Sequence, residues 1–252
     1  MHDLSDKVKQ FHSDGFVFMS NVLNEDQINL LNTGVEEAFR GPRNGYAPIF
    51  RGMMFERGEV FENLIDLPPV INLVEAILGD NCHLRSMNAI KTPRRTGIDQ
   101  WHIDLIDDEM FFPLPKNVDW DNNIQMPVFI VNCLYYLADV EEDMGPTQLV
   151  PGSHRSGKFP DTKQELPVYN GKKPVTFKAK AGDCLIFNNQ VWHRGGLNLN
   201  QKPRIVQQVV YSKSYISQSF YPLLNYRVPE HVLARADNRR KRLIGFHKVG
   251  LV

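Results

Sequence analysis

Apolar residues recur along this chain in two rhythms, and the change from one to the other falls near residue 80. Before it the spacing is helical. Val8 and Phe11 predict a short helix stopped by Asp14-Gly15, with Phe16-Val17-Phe18-Met19 as a strand after it. Ile28, Leu31, Val35 and Phe39 repeat the helical interval behind Asn24, whose short polar side chain can cap the first turn, and Glu25 and Asp26 sit where the helix dipole favours acids. Gly41-Pro42 should end that helix, since proline has no N–H for the ladder. Val70 to Leu78, between Pro68-Pro69 and Gly79-Asp80, predicts a further helix. Residues 41–58, with four Gly, two Pro and three Arg among aromatics, predict a surface loop.

Beyond residue 80 the interval shortens to two. Cys82 to Lys91, Gln100 to Leu105, Pro127 to Leu137, Thr147 to Val150, Pro174 to Lys178, Cys184 to Asn188 and Arg204 to Ser212 read as short strands separated by Gly, Pro, Asn and Asp turns. Helices first and many short strands afterwards imply an α+β chain whose β part is a sandwich or jelly roll. The expected layout is one domain over 1–252, with a mostly helical support over 1–80, a β core over 81–212 and a partly helical C-terminal extension over 213–252. Asp107 to Gln125 is too irregular for an element and too aromatic for a linker. It is expected to form a lid over the site, with parts of the 41–58 loop and of the 214–226 tail.

Charge narrows the partners. Lys plus Arg and Asp plus Glu both number 29, so the molecule has no net field to draw nucleic acid or an acidic membrane. No apolar run approaches membrane-spanning length. Cys82, Cys133 and Cys184 are odd in number and set in apolar surroundings, as buried thiols of a reducing compartment would be. A cytoplasmic protein acting on a small molecule is the expectation.

The candidate chemistry sits in Asp99-Gln-Trp-His-Ile-Asp-Leu105. On a strand, His102 and Asp104 share one face while Trp101, Ile103 and Leu105 share the other. His193, in Gln-Val-Trp-His-Arg-Gly-Gly196, can supply a third ligand if Val191, His193 and Gly195 point inward and Trp192 outward. Two imidazoles and one carboxylate on one side of an ion form the facial triad of non-haem Fe(II) oxygenases. Eleven residues beyond His193 comes Arg204, which alternation places on a face with Val206 and Gln208. A guanidinium turned into a core needs an anion, and a dicarboxylate co-substrate would supply one through two parallel hydrogen bonds.

His102-Ile-Asp104, Gly145-Pro-Thr-Gln-Leu-Val-Pro-Gly-Ser-His154, Ala181-Gly-Asp-Cys-Leu-Ile-Phe187 leading to His193, and Arg204 together resemble the phytanoyl-CoA dioxygenase family of Fe(II)/2-oxoglutarate enzymes. Phe11-His-Ser-Asp-Gly-Phe-Val-Phe18 is similar to that family's N-terminus, so the likeness runs to about Tyr211. It implies a double-stranded β-helix, a cupin-like jelly roll with flanking N- and C-terminal helices. It further implies that His102, Asp104 and His193 ligate iron and that Arg204 holds the far carboxylate of 2-oxoglutarate. Lys91, Asn132 and Tyr136 are implied as further co-substrate or substrate contacts. Asp104 sets the chain apart from the related halogenases, which carry a small residue there.

On this resemblance the cofactors are Fe(II), 2-oxoglutarate and O2, and the reaction is hydroxylation of a small organic molecule with release of succinate and CO2. Desaturation, epoxidation or ring formation by the same oxidant, and a non-catalytic jelly-roll module binding a metal or carboxylate, are the other readings. His154 reads as a loop-shaping residue, and His2, His12, His83, His231 and His247 as surface or packing histidines. Arg239-Arg-Lys-Arg242 reads as a solvated helix face.

Overall fold

In the computed structural model, which describes residues 2–40, 49–104, 113–115, 118–121, 123–161, 166–219 and 226–247, the two rhythms become two layers. The chain begins with α1 (His2–Asp14), β1 (Phe16–Met19), α2 (Glu25–Ala38), β2 (Ile49–Arg51), α3 (Glu59–Glu62) and α4 (Val70–Leu78). Eight strands follow: β3 (His83–Thr92), β4 (Ile98–His102), β5 (Ile130–Tyr136), β6 (Thr147–Leu149), β7 (Val175–Phe177), β8 (Cys184–Asn188), β9 (His193–Gly195) and β10 (Arg204–Ser212). Two short helices, α5 (Glu230–Arg235) and α6 (Asn238–Leu243), come last. No helix among the described residues is long and apolar enough to cross a membrane.

The strands form two antiparallel sheets, one of six strands in the order β1-β8-β5-β10-β3-β2 and one of four in the order β4-β9-β6-β7. This is the jelly roll of the double-stranded β-helix. The larger sheet is covered on both faces, which explains why β5 is buried at every position. Val131, Cys133 and Tyr135 face a core shared with Phe11, Leu31, Val35, Phe61, Ile71 and Val74 of the helical layer. Leu134 and Tyr136 face the smaller sheet, beside Leu149, Phe177, Phe187 and Val206. Period-2 alternation therefore sorts each strand of the larger sheet into a helix-facing set and an inter-sheet set.

The helices begin and end as their sequence signals require. Asn24 accepts the Gln27 backbone N–H at 2.9 Å and Gln27 accepts that of Asn24 at 3.0 Å, a reciprocal capping box. α4 spans the expected residues, and its apolar positions are buried almost throughout. Two segments differ from expectation. The 41–58 region is not all loop, because β2 extends the larger sheet along β3 (Ile49↔Lys91, Arg51↔Ala89). The run Arg239–Arg242 is not a solvated face either: Arg239 and Arg242 both bind Glu75, and Arg240 grips Asp66 at 2.7 Å. With Arg235 on the fully buried Glu62, and Val232 and Leu243 in the helical core, the C-terminal helices are fastened to α3 and α4.

Candidate metal centre

The metal-competent side chains meet where the edge of the smaller sheet lies over the inner face of the larger. His102 ends β4 directly opposite His193, which begins β9, and their ring centroids are 4.2 Å apart. Asp104 lies past the end of β4. Asn189 fixes its backbone twice, accepting the Asp104 N–H at 2.9 Å and donating its side-chain amide to the Asp104 carbonyl at 3.2 Å. Asp104 Oδ1 is then 3.9 Å from His102 Nε2 and 3.5 Å from His193 Nε2. One ligand atom from each residue lies within 4.8 Å of the other two. Metal–ligand bonds of roughly 2 Å suit such a cluster around a single ion. Trp101 and Trp192 pack together on the far side of the smaller sheet, as alternation requires.

The backbone also sets which nitrogen each imidazole offers. His102 Nδ1 lies 2.9 Å from the Gln100 carbonyl and His193 Nδ1 2.8 Å from that of Val191. A carbonyl can only accept, so Nδ1 carries a proton in both rings and Nε2 is the nitrogen turned toward Asp104. Burial, with the neighbouring His193 adding to it, pushes His102 down to about 4 and keeps it neutral. Burial would lower His193 as well, but the adjacent Asp104 carboxylate raises it above the ordinary imidazole value. Burial would likewise raise Asp104, yet the two imidazoles and the Asn132 amide hold it below the usual carboxylate range.

Arg204 opens β10 on the same inner face and is 6 % exposed. Burial lowers its guanidinium below the ordinary arginine value, and Nη1 is buried without a hydrogen-bond partner among the described residues. Gly195 makes room for it, since a Cβ there would sit 2.7 Å from Arg204 Nη2. Gly145 lets the neighbouring backbone approach instead: it has φ of +65°, and a Cβ would meet the Gly196 carbonyl at 2.0 Å. The triad and Arg204 line one cavity of about 130 Å3 with Ile90, Leu134, Phe187 and Val206. That volume is below the ~300–1,000 Å3 usual for a whole ligand site, so it suits a small acid rather than a bulky substrate.

Of the other residues singled out in the sequence, the structure brings in two and leaves one out. Asn132 donates Nδ2–H to Asp104 Oδ2 at 2.9 Å. Tyr136, buried on the same face, donates to Thr147 Oγ1 at 2.9 Å, and burial pushes its phenol up to about 12. Lys91 does not join them. Val206↔Ile90 and Gln208↔Asn88 are the inward cross-strand pairs, so Lys91, paired with Ile205, projects from the opposite face with its ammonium over the Phe39 ring. His154 is buried beside α1, its Nε2 on the His12 carbonyl, away from the triad. Sequence reasoning missed Asn88, Asn189, Gln208 and Phe50. The buried amide run Asn188-Asn189-Gln190 and the inward register of Gln208 were signals for two of them. Residues 107–112, 116–117 and 122 of the expected lid, and 41–48 and 220–225 of the segments expected to close with it, lie outside the described residues.

The chain is similar to known proteins. The family model for phytanoyl-CoA dioxygenase matches residues 11–206. An ectoine dioxygenase of Bordetella bronchiseptica is 26 % identical over 269 residues, covering 92 % of this chain and 82 % of its own. Among solved structures, HygX of Streptomyces hygroscopicus, determined with nickel and 2-oxoglutarate bound, superposes with a TM-score of 0.67 at 14 % identity over 84 % of this chain and 88 % of its own. The epimerase SnoN, in complex with Fe3+, alpha-ketoglutarate and nogalamycin RO, superposes with a TM-score of 0.63 at 20 % identity over 84 % of both chains. At such identities the structural likeness speaks for the fold.

Proposed function

The chain belongs to the phytanoyl-CoA dioxygenase family and is a dioxygenase-type oxidoreductase, and from that premise we propose that it hydroxylates an unactivated carbon of a small organic molecule, using Fe(II), 2-oxoglutarate and O2. His102, Asp104 and His193 would hold the iron, and Arg204 the far carboxylate of 2-oxoglutarate. The observation that carries this reading is the buried Arg204 Nη1, unpartnered among the described residues, at the wall of the cavity that the triad lines. An isolated buried guanidinium is costly, and a carboxylate in that cavity would relieve it. The donor set fits as well: two imidazole Nε2 atoms and one carboxylate oxygen suit a divalent iron and leave other positions open.

Bound there, iron and the keto acid would supply the oxidant, with 2-oxoglutarate and O2 consumed and succinate and CO2 released. The protein's own residues then have little acid–base work to do. Asn189 holds the Asp104 backbone, Gln100 and Val191 fix the imidazole tautomers, and the apolar walls from Ile90, Leu134, Phe187 and Val206 exclude water. Phe50 of β2 also lines the cavity and would meet the substrate as it approaches.

Anaerobic titration with Fe(II) and then 2-oxoglutarate tests the reading. The wild type is expected to develop the weak visible charge-transfer band of a chelated keto acid. His102→Ala should lose it, and Arg204→Ala should require far more 2-oxoglutarate. A folded, metal-loaded protein without the band would overturn the assignment in favour of a binding module. With substrate in hand, product analysis separates hydroxylation from the other outcomes of the same oxidant, none of which succinate alone distinguishes.

A further inference from the structure

A line of side-chain amides crosses the floor of the larger sheet and ends on Asp104. Asn88 Nδ2 donates to Gln208 Oε1 at 2.9 Å, Gln208 Nε2 to Asn132 Oδ1 at 3.2 Å, and Asn132 Nδ2 to Asp104 Oδ2 at 2.9 Å. The residues come from β3, β10 and β5, which are neighbours in the sheet, and Gln208 stands directly opposite Asn88. Asn132 is buried, while Asn88 and Gln208 are half-buried and Gln208 lines the cavity.

The direction of this line is determined by its end. An ionised carboxylate has no proton to give, so Asn132 must turn its N–H toward Asp104 and its oxygen toward Gln208. Gln208 must in turn give an N–H to that oxygen and offer its own oxygen to Asn88, which must donate. Three amides whose ends are otherwise interchangeable are thereby locked head to tail. The carboxylate oxygen they occupy is Oδ2, whereas Oδ1 is the one that faces both imidazoles.

We propose that Asn132 and Gln208 are positioning residues that reserve Oδ1 of Asp104 as its single metal-facing oxygen, with Asn88 completing the relay as its last donor. The proposal rests on the metal-centre reading above. It makes a demand that packing alone does not make: the element at each amide position matters more than its size. A carboxylate at 208 can only accept. It would draw the N–H of Asn132 to itself and turn the Asn132 oxygen onto Asp104, setting two acceptors against each other. An apolar residue at 208 merely leaves Asn132 unguided.

Co(II) is the probe, added without oxygen to the full-length wild type, Gln208→Leu and Gln208→Glu, with binding read by calorimetry and by the visible d–d absorption that reports coordination. Gln208→Leu is expected to weaken Co(II) binding by about 10-fold, the lower end for a partner of a metal ligand. Gln208→Glu, nearly identical in size, should bind more weakly still and show an altered d–d band. If Gln208→Glu stays near the wild type while Gln208→Leu is the worse variant, the role is packing and the relay is overturned. Should Gln208→Glu not fold, Asn88→Asp, at a half-buried position, poses the same reversal and is expected to weaken binding more than Asn88→Leu. If the wild type binds Co(II) and every variant equals it, the relay alone falls. A folded wild type that takes up no Co(II) overturns the metal-centre reading and the relay with it.

Discussion

Arg204 and the arginines of the last two helices show how one residue type can serve opposite ends. Arg240, nearly as sheltered, has Asp66 at 2.7 Å and Asn63 at 3.0 Å, and Glu75 is shared by Arg239 and Arg242. Arg204 has been given space instead, with Gly195 clearing its guanidinium and Nη1 left unbonded among the described residues. The first group is complete within the chain and acts as a fastening. The second is incomplete until something anionic arrives. A buried cation is therefore informative through what surrounds it, because a protein that needed only stability would not leave one unpaired.

The contrast is broken most severely at Arg204 itself. Arg204→Met should weaken 2-oxoglutarate binding on the order of 100-fold, about 3 kcal/mol, while the ligand-free protein melts no lower than the wild type. Calorimetric titration and a melting curve check the two halves, and a clear loss of ligand-free stability would mean that Arg204 has a partner in the protein. Arg240→Ala should do the reverse. It strands Asp66 in a sheltered position, so urea unfolding should register a loss of roughly 3 kcal/mol with 2-oxoglutarate affinity intact.

A smaller effect sharpens the comparison through pH. Burial would raise Glu75, but Arg239 and Arg242 outweigh it and hold the carboxyl below its ordinary 4.5. A carboxyl lowered by folding adds stability above its ordinary value and loses it as the pH falls through the lowered one. The stability gap between the wild type and Glu75→Gln should thus be full near neutrality and shrink below about pH 4.5. A gap that stayed constant on acidification would show that the pair contributes through packing of the arginine stems.

Much of this was legible in the residues before any coordinates. Alternation placed His102 and Asp104 on one face and separated Val191 and His193 from Trp192, because a strand has only two faces. Asn24 and the Pro68–Gly79 bracket marked helices because capping and proline geometry act locally. What escaped was decided by partners distant in sequence. Lys91 stands one position from Ile90, and only the register with β10 tells which of them faces the cavity. β2 hid among glycines and prolines because its reason for being extended is the neighbouring β3. The basic run was paired by acids 164 to 174 residues earlier, as the span from Asp66 to Arg240 illustrates. The amides of Asn88 and Gln208 look like ordinary polar positions until the sheet aligns them with Asp104.

The strand order carries a last consequence, in the time it takes to make the chain. β1 lies at the edge of the larger sheet and its ladder is with β8, Met19 opposite Cys184. While the ribosome is still working through the residues between them, Phe16-Val17-Phe18-Met19 emerges as an apolar ribbon whose hydrogen-bonding partner does not yet exist. Ladders of such long reach make folding slow and leave an adhesive edge exposed while it waits. Chains interrupted before β8 should accordingly aggregate rather than accumulate as soluble fragments.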